Sequence, residues 1–187
     1  MKVYIVRHGE TENNKKGVWT GWNDIPLTQK GEEDAARLGK LLKDIPFDAV
    51  FASDLQRACK TAEIAIPNCD YKTNEKLREI NVGNVSGKPF NAMTDEERAL
   101  VRKEGYVIFG GESQKDFFAR VTEFLKELET LECENVAVFC HGGWLRRVLL
   151  KVLGVEFLQN VVLKNCATLV LEYENSVWKL HSLINIS

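Results

Sequence analysis

Residues 2–11 read Lys2-Val-Tyr-Ile-Val-Arg7-His8-Gly9-Glu10-Thr11. The four residues after Lys2 are β-branched or aromatic, which predicts a short strand buried on both faces. The apolar run stops at Arg7 and His8, and Gly9 permits a sharp turn of the backbone. Ligands of open α/β sheets bind beyond the carboxyl ends of the strands. We therefore expect Arg7 and His8 to lie at a ligand site.

Two further stretches repeat this arrangement. Residues 47–52 are predicted to form a second short strand, followed by Ser53-Asp54 as the cap of a helix that carries Arg57 in its first turn. Residues 136–140 are predicted to form a third strand, and it ends at His141-Gly142-Gly143. If the three strands are parallel neighbours, two histidines and two arginines meet at one edge of the sheet.

That convergence of positive charge indicates an anionic ligand, since buried cations need a compensating charge. The planar fork of arginine matches a phosphoryl group. The predicted helix N-termini after Ser53 and Gly142 add backbone N–H donors and the positive ends of the helix dipoles. A phosphate site is the resulting hypothesis.

Strands and helices alternate along the rest of the chain. This alternation predicts an α/β fold with three layers, in which helices cover both faces of a mostly parallel sheet and a C-terminal β-hairpin lies at its edge. Helices are predicted at 29–43, 54–66, 94–104, 113–131 and 144–153, hairpin strands at 166–173 and 177–184, and irregular structure at 9–27 and 67–93.

Length and composition indicate one ordinary domain over residues 1–187, with a flap at about 80–112. The net charge of −2 without a basic run argues against nucleic acid or an anionic membrane surface as partner. Five scattered cysteines without a C-x-x-C pair predict reduced thiols, a cytoplasmic location and no metal site. Neither a signal peptide nor an apolar run of membrane-spanning length is found.

Five motifs, in this order along the chain, resemble the histidine phosphatase superfamily, in the branch that holds the cofactor-dependent phosphoglycerate mutases and their phosphatase relatives. They are Arg7-His8-Gly9-Glu10-Thr11 with Asn14, Ser53 to Thr61 around Arg57, Leu77-Arg78-Glu79, Gly111-Glu112-Ser113 and His141-Gly142-Gly143.

The resemblance implies phosphoryl transfer in two steps, without a metal or a cofactor. His8 is implied as the nucleophile that becomes a phosphohistidine, and Glu79 as the general acid and base. The phosphate oxygens would be bound by Arg7, Arg57 and His141, with further contacts from Asn14, Thr20, Gly21 and Gly142.

The leading interpretation is a metal-independent phosphomonoesterase acting on a small organic phosphate. Family members of this size include α-ribazole-5′-phosphate phosphatases and broad-specificity phosphatases. A 2,3-bisphosphoglycerate-dependent phosphoglycerate mutase is the alternative, although Ile80 to Asn84 lack the Arg-His-Tyr-Gly that follows the glutamate in mutases. A non-catalytic phosphoprotein-binding module is more remote, because His8 and Glu79 are both present. The oligomeric state stays open, with a homodimer as one option.

Overall fold

A six-stranded sheet forms the centre of the molecule, in a computed structural model that describes residues 1–154 and 160–186. The strand order is β3-β2-β4-β1-β5-β6, and β1 to β4 run parallel while β5 is antiparallel to β1 and to β6. This confirms the predicted α/β class and the C-terminal hairpin at the edge. The strands are β1 (Lys2–Arg7), β2 (Ala49–Ala52), β3 (Tyr71–Thr73), β4 (Asn135–Cys140), β5 (Thr168–Glu174) and β6 (Val177–Ile184).

Helices cover both faces of the sheet, as predicted. Neighbouring residues of a strand point to opposite faces, so Val6 packs in one core cluster with Leu38, while Ile5 packs in the other with Phe124 and Leu145. The first cluster lies under α2 and α3, and the second lies under α5 and α6. The helices are α1 (Glu12–Lys16), α2 (Gln29–Leu42), α3 (Gln56–Ala65), α4 (Asp95–Glu104), α5 (Gln114–Leu128) and α6 (Gly142–Leu153).

The parallel register fixes where the functional stretches meet. Arg7 is paired with Cys140, and backbone bonding continues one residue beyond the strands. His8 N–H donates to the Cys140 carbonyl at 2.9 Å, and Ser53 N–H donates to the Phe139 carbonyl at 2.8 Å. The ends of β1, β2 and β4 are therefore level.

Two segments predicted as irregular contain regular structure. The segment 9–27 includes α1, whose start is fixed by a capping box between Thr11 and Asn14. The segment 67–93 includes β3, which pairs with β2 at the edge of the sheet. Both elements are too short to show a hydrophobic period, and α1 buries none of its residues. The hydrophobic pattern of the sequence therefore could not indicate α1 or β3.

The predicted cap Ser53-Asp54 is wrong. The helix begins at Gln56, whose N–H donates to Asp24 Oδ1 of the preceding loop at 2.8 Å. The Asp54 carboxylate is instead bound by the guanidinium of Arg78, with Nε at 2.8 Å from Oδ1. The Asp54 side chain, which the local sequence predicted as a helix cap, thus forms a tertiary ion pair with Arg78 instead.

The remaining differences are small. α5 ends three residues before the predicted Leu131, and α6 begins two residues before the predicted Trp144. The side chains of Thr28, Thr94 and Ser113 cap α2, α4 and α5 at the predicted starts of these helices. Within residues 1–154 and 160–186, the structure contains no helix of the length and apolarity that crossing a membrane requires.

Candidate active site

A cavity of about 430 Å³ opens at the level strand ends. We call it the main cavity. The structure brings all the predicted site residues to its wall except His141, which lies behind it. Those at the wall are Arg7, His8, Asn14, Thr20, Gly21, Arg57, Glu79 and Gly142.

His8 is held with one ring nitrogen free. Its Nδ1 lies 2.7 Å from the Gly9 carbonyl oxygen, which can only accept, so Nδ1 carries the proton and Nε2 keeps its lone pair. Burial lowers the pKa of His8 well below its usual value, and the positive charges of Arg57 and Arg7 lower it further. The ring is therefore neutral at pH 7, as a nucleophile must be.

Three arginines line the main cavity, and two of them, Arg7 and Arg57, are held inside it by hydrogen bonds to backbone carbonyls. Arg57 donates from Nη1 to the Asn23 carbonyl and from Nη2 to the Gly21 carbonyl, both at 2.8 Å. Arg7 donates from Nη1 to the Leu163 carbonyl at 2.6 Å. Burial lowers the pKa of both side chains, that of Arg57 to about 10, so both stay charged at pH 7. Their buried Nε atoms have no hydrogen-bond partner within the described residues, which leaves donors for an anion.

His141 lies beside His8 and is fully buried. The two ring centroids are 5.1 Å apart, and His141 Nε2 is 2.9 Å from Ser53 Oγ. Burial lowers the pKa of His141 well below its usual value, with Arg57 and His8 as further causes. The ring is therefore neutral, and its buried Nδ1 has no partner in the described parts of the chain.

Glu79 is docked onto the N-terminus of α6. Its Oε2 accepts from Gly143 N–H at 3.0 Å, and its Oε1 accepts from Ile80 N–H at 2.9 Å. The backbone carbonyl of Glu79 accepts from Trp22 Nε1 at 2.7 Å and from Arg120 Nη2 at 3.3 Å. The residue is therefore fixed through both its side chain and its main chain.

Arg120 organises the chain segment that carries Glu79, and the sequence did not reveal this. Its Nη1 donates to the carbonyls of Lys76 and Arg78 at 2.8 and 2.7 Å. The other side of its fork is bound by the Glu112 carboxylate, with Nη2 at 2.8 Å from Oε2. In the sequence, Arg120 looks like an ordinary surface residue of α5. The one related signal is the Gly111-Glu112-Ser113 motif, which contains its partner Glu112.

Asn165 is a second residue that the sequence did not reveal. Its Nδ2 lies 3.1 Å from the carbonyls of His8 and Gly9 and from Asn14 Oδ1. Asn14 Oδ1 also accepts from Thr11 N–H at 3.2 Å. The Asn14 oxygen is thus occupied, which leaves its Nδ2 as the group able to donate to a ligand.

The loop before α2 is fastened to the segment that follows Glu79. Ser86 Oγ donates to the Thr20 carbonyl at 2.8 Å. Gly21 has a φ of +52°, and a Cβ there would lie 2.7 Å from Val82 Cγ2. Only glycine fits this turn, and the Gly21 carbonyl accepts a hydrogen bond from Arg57 Nη2.

Replacing Gly143 with alanine is expected to displace Glu79, because a Cβ at this position would lie 2.2 Å from Glu79 Oε1. Misplacing a catalytic group by about 1 Å can cost roughly 10²-fold in rate. The family resemblance implies Glu79 as general acid and base, so we expect kcat on an alkyl phosphate to fall by about that factor. In a Glu79→Gln background, the same change should cost little more, since the displaced carboxyl is already gone. A further fall in kcat of the same factor in the double variant would show that the Gly143 substitution does not act through Glu79.

Stability is expected to fall as the pH is lowered from 7 to 5. The folded pKa values of His8 and His141 lie well below 6.5, so below that pH the unfolded chain binds protons that the folded chain does not. The free energy of unfolding should decrease by up to about 1.4 kcal/mol per pH unit for each buried histidine. Urea unfolding at several pH values measures the slope.

The slope should be shallower in His8→Gln and His141→Gln, and unchanged in His181→Gln, whose side chain is exposed on β6. A wild-type free energy of unfolding that is constant between pH 7 and 5.5 would show that these rings are not buried in the neutral form.

The sequence matches the histidine phosphatase superfamily (branch 1) over residues 3–186. The chain belongs to this superfamily, and His8, Arg7, Arg57 and Glu79 line its main cavity at the strand ends.

Named relatives are both mutases and phosphatases. A probable phosphoglycerate mutase GpmB from Salmonella paratyphi A is 32% identical, over 95% of this chain and 87% of that protein. The crystal structure of a phosphoglycerate mutase from Thermus thermophilus is 30% identical with a TM-score of 0.78, covering 100% of both chains. A putative α-ribazole-5′-P phosphatase from Escherichia coli is 25% identical with a TM-score of 0.82, covering 99% of this chain and 97% of that one. The similarity thus extends to enzymes of two reaction types.

Proposed function

We propose that this protein hydrolyses phosphate monoesters through a phosphohistidine on His8. The observation that carries the proposal is the state of the His8 ring. Its Nδ1 proton is held by the Gly9 carbonyl, which leaves Nε2 with its lone pair, and His8 lines a cavity that is also lined by Arg7 and Arg57. A neutral imidazole beside fixed cations is suited to attack a phosphate dianion, because the arginines offset the negative charge that repels nucleophiles.

In the first step, His8 Nε2 bonds to phosphorus while the bond from phosphorus to the ester oxygen breaks. The Glu79 carboxyl passes its proton to that oxygen, and the alcohol leaves. In the second step, water attacks the phosphohistidine and gives its proton to the Glu79 carboxylate. The bond from phosphorus to nitrogen breaks, its electron pair returns to Nε2, and inorganic phosphate is released.

Arg7 and Arg57 would bind the equatorial oxygens in both steps, with Asn14 Nδ2 as a neutral donor. Burial lowers the pKa of His141, and the charges of Arg57 and Arg7 lower it further, so its ring is neutral. A bound phosphate dianion would offset those charges and raise that pKa. We expect His141 to take up a proton and donate to the phosphate only in the complex.

Hydrolysis is favoured over mutase chemistry by the 80–112 segment. A mutase must exclude water while its phosphohistidine waits for the reoriented intermediate. Here the segment consists of the ten-residue helix α4 and short 3₁₀ turns, which offers little chain to serve as a flap. We therefore propose a hydrolase of small organic phosphates, with α-ribazole-5′-phosphate among the esters to be tested.

A panel of phosphate esters tests the assignment. We expect inorganic phosphate to be released from several monoesters, and conversion of 3- to 2-phosphoglycerate to be slow or absent even with 2,3-bisphosphoglycerate. Mutase turnover faster than phosphate release would overturn the choice of reaction. Tight phosphopeptide binding without turnover would indicate the binding-module alternative instead.

Activity is expected to survive excess EDTA, because Arg7 and Arg57 supply the cations that a metal would otherwise provide. Among the described residues, no group of three His, Cys, Asp or Glu side chains is placed to hold a metal ion. Vanadate, which adopts the geometry of pentacoordinate phosphorus, should inhibit. Phosphate release from an aryl ester, with and without chelator, is the measurement. Complete loss on chelation that added magnesium reverses would refute this prediction.

A further inference from the structure

A second cavity of about 400 Å³ adjoins the main cavity. Both are lined by Trp19, Ile80, Tyr106, Gly143 and Arg146, which form the boundary between them. Gly143 N–H binds the Glu79 carboxylate, so the proposed proton donor lies at this boundary. An ester whose leaving oxygen is protonated by Glu79 therefore has the second cavity directly in front of its alcohol portion.

The wall of the second cavity is largely apolar. Met93 and Phe117 are buried at it, and the Trp19 and Tyr106 rings stand edge to face with centroids 5.7 Å apart. Burial and the nearby Glu79 raise the pKa of Tyr106, so its hydroxyl stays protonated. A cavity of this size and lining suits a flat apolar group such as an aromatic ring.

Four arginines line the same cavity, and one of them, Arg98, donates to the Phe90 carbonyl at 2.8 Å. Arg102 projects from α4, and Arg146 and Arg147 project from the first two turns of α6. Within residues 1–154 and 160–186, none of the three takes part in an ion pair. Arg147 is half-buried, with its guanidinium 5.8 Å from the centroid of the Phe117 ring. Arg102 and Arg147 line only the second cavity and are therefore separate from the phosphate-binding cations.

We propose that the second cavity binds the leaving group of the substrate, and that this group carries an apolar ring followed by a second anionic group. The inference rests on the proposed function, which places the phosphoryl group at His8. The ring would lie between Trp19 and Phe117, and the second anion would be bound by Arg102 and Arg147. The substrate class is a phosphate monoester of an aromatic alcohol bearing a carboxylate or a second phosphate.

Two matched ligands test the assignment by calorimetry on the full chain. 2-[4-(Carboxymethyl)phenyl]ethylphosphonate and its primary amide have the same shape and differ only in the charge at the far end. Neither can be cleaved, because carbon replaces the ester oxygen. We expect the carboxylate to bind at least ten-fold more tightly to the wild-type protein.

The ratio of the two affinities should approach one in an Arg102→Gln/Arg147→Gln double variant. In each single variant the ratio should fall partway toward one. The single variants test the proposal on their own if the double variant does not fold. Lys151→Gln is the matched control, since it removes an exposed positive charge from the same helix outside the cavity. Equal affinities in the wild type, or an equal drop in Lys151→Gln, would overturn the proposal.

Turnover separates this outcome from a failure of the proposed function. The corresponding benzyl phosphates are expected to release phosphate, the carboxylate faster than the amide in kcat/KM. A charge preference in binding without any phosphate release would refute hydrolysis but not the ligand assignment of the second cavity. Equal hydrolysis of both esters would refute the second-anion assignment alone.

Discussion

Replacing His8 with alanine is expected to abolish phosphate release, with kcat lowered by roughly 10⁴-fold or more. The reason is that, in the mechanism we propose, the Nε2 atom of His8 accepts the phosphoryl group, so removing it removes both steps of the reaction. Wild-type enzyme quenched during turnover of a radiolabelled ester should carry one phosphate that is labile to acid and stable to base. His8→Ala should carry none.

His181→Ala is the matched control, because this histidine is exposed on β6 and does not line the main cavity. It should keep both the labelling and the turnover of the wild type. A His8→Ala protein that is fully active would refute the phosphohistidine mechanism. Labelling on another residue would place the nucleophile elsewhere in the pocket.

Replacing Glu79 with glutamine is expected to lower kcat by about 10²–10⁴-fold on alkyl phosphates, the usual contribution of a general acid. The amide oxygen can still accept from Gly143 N–H, whereas the amide NH2 then faces Ile80 N–H and cannot accept from it, so the variant loses the proton and one of the two contacts. An aryl ester such as p-nitrophenyl phosphate has a leaving group that needs no proton. It should lose less in the first step.

A surface carboxylate provides the control for this variant. Glu32 is exposed on α2, and Glu32→Gln should leave both ester activities unchanged. Single-turnover and burst kinetics then separate the two steps of the reaction. Equal losses on both esters in the phosphorylation step would exclude Glu79 as the acid that protonates the leaving group.

The sheet could be predicted because its central strands are strongly patterned. β1 and β4 are buried on both faces, and their continuous apolar runs end in charged or glycine-rich residues. Their common edge followed from the preference of α/β chains for parallel neighbours. By contrast, α1 and β3 are short and nearly devoid of buried residues, so the sequence carried no period that could reveal them.

The main cavity was predictable only where residues follow a strand end or belong to a recognisable motif. His8 and Arg7 met both conditions. Asn165 and Arg120 met neither, because each acts through hydrogen bonds to distant backbone carbonyls that no local pattern encodes. The sequence likewise gave no sign that His141 is neutral, which follows from its complete burial beside Arg57.

Anchoring Glu79 by its main chain has a consequence for repeated turnover. A carboxyl group that alternately donates and accepts a proton would change its position in each cycle if that position depended on its charge. The indole of Trp22 and the guanidinium of Arg120 bind the peptide oxygen, which is indifferent to that charge. Each carboxyl oxygen accepts one backbone N–H and retains a second lone pair where a proton can reside. In the proposed mechanism, Glu79 can therefore regain its proton in every catalytic cycle without any rearrangement of its surroundings.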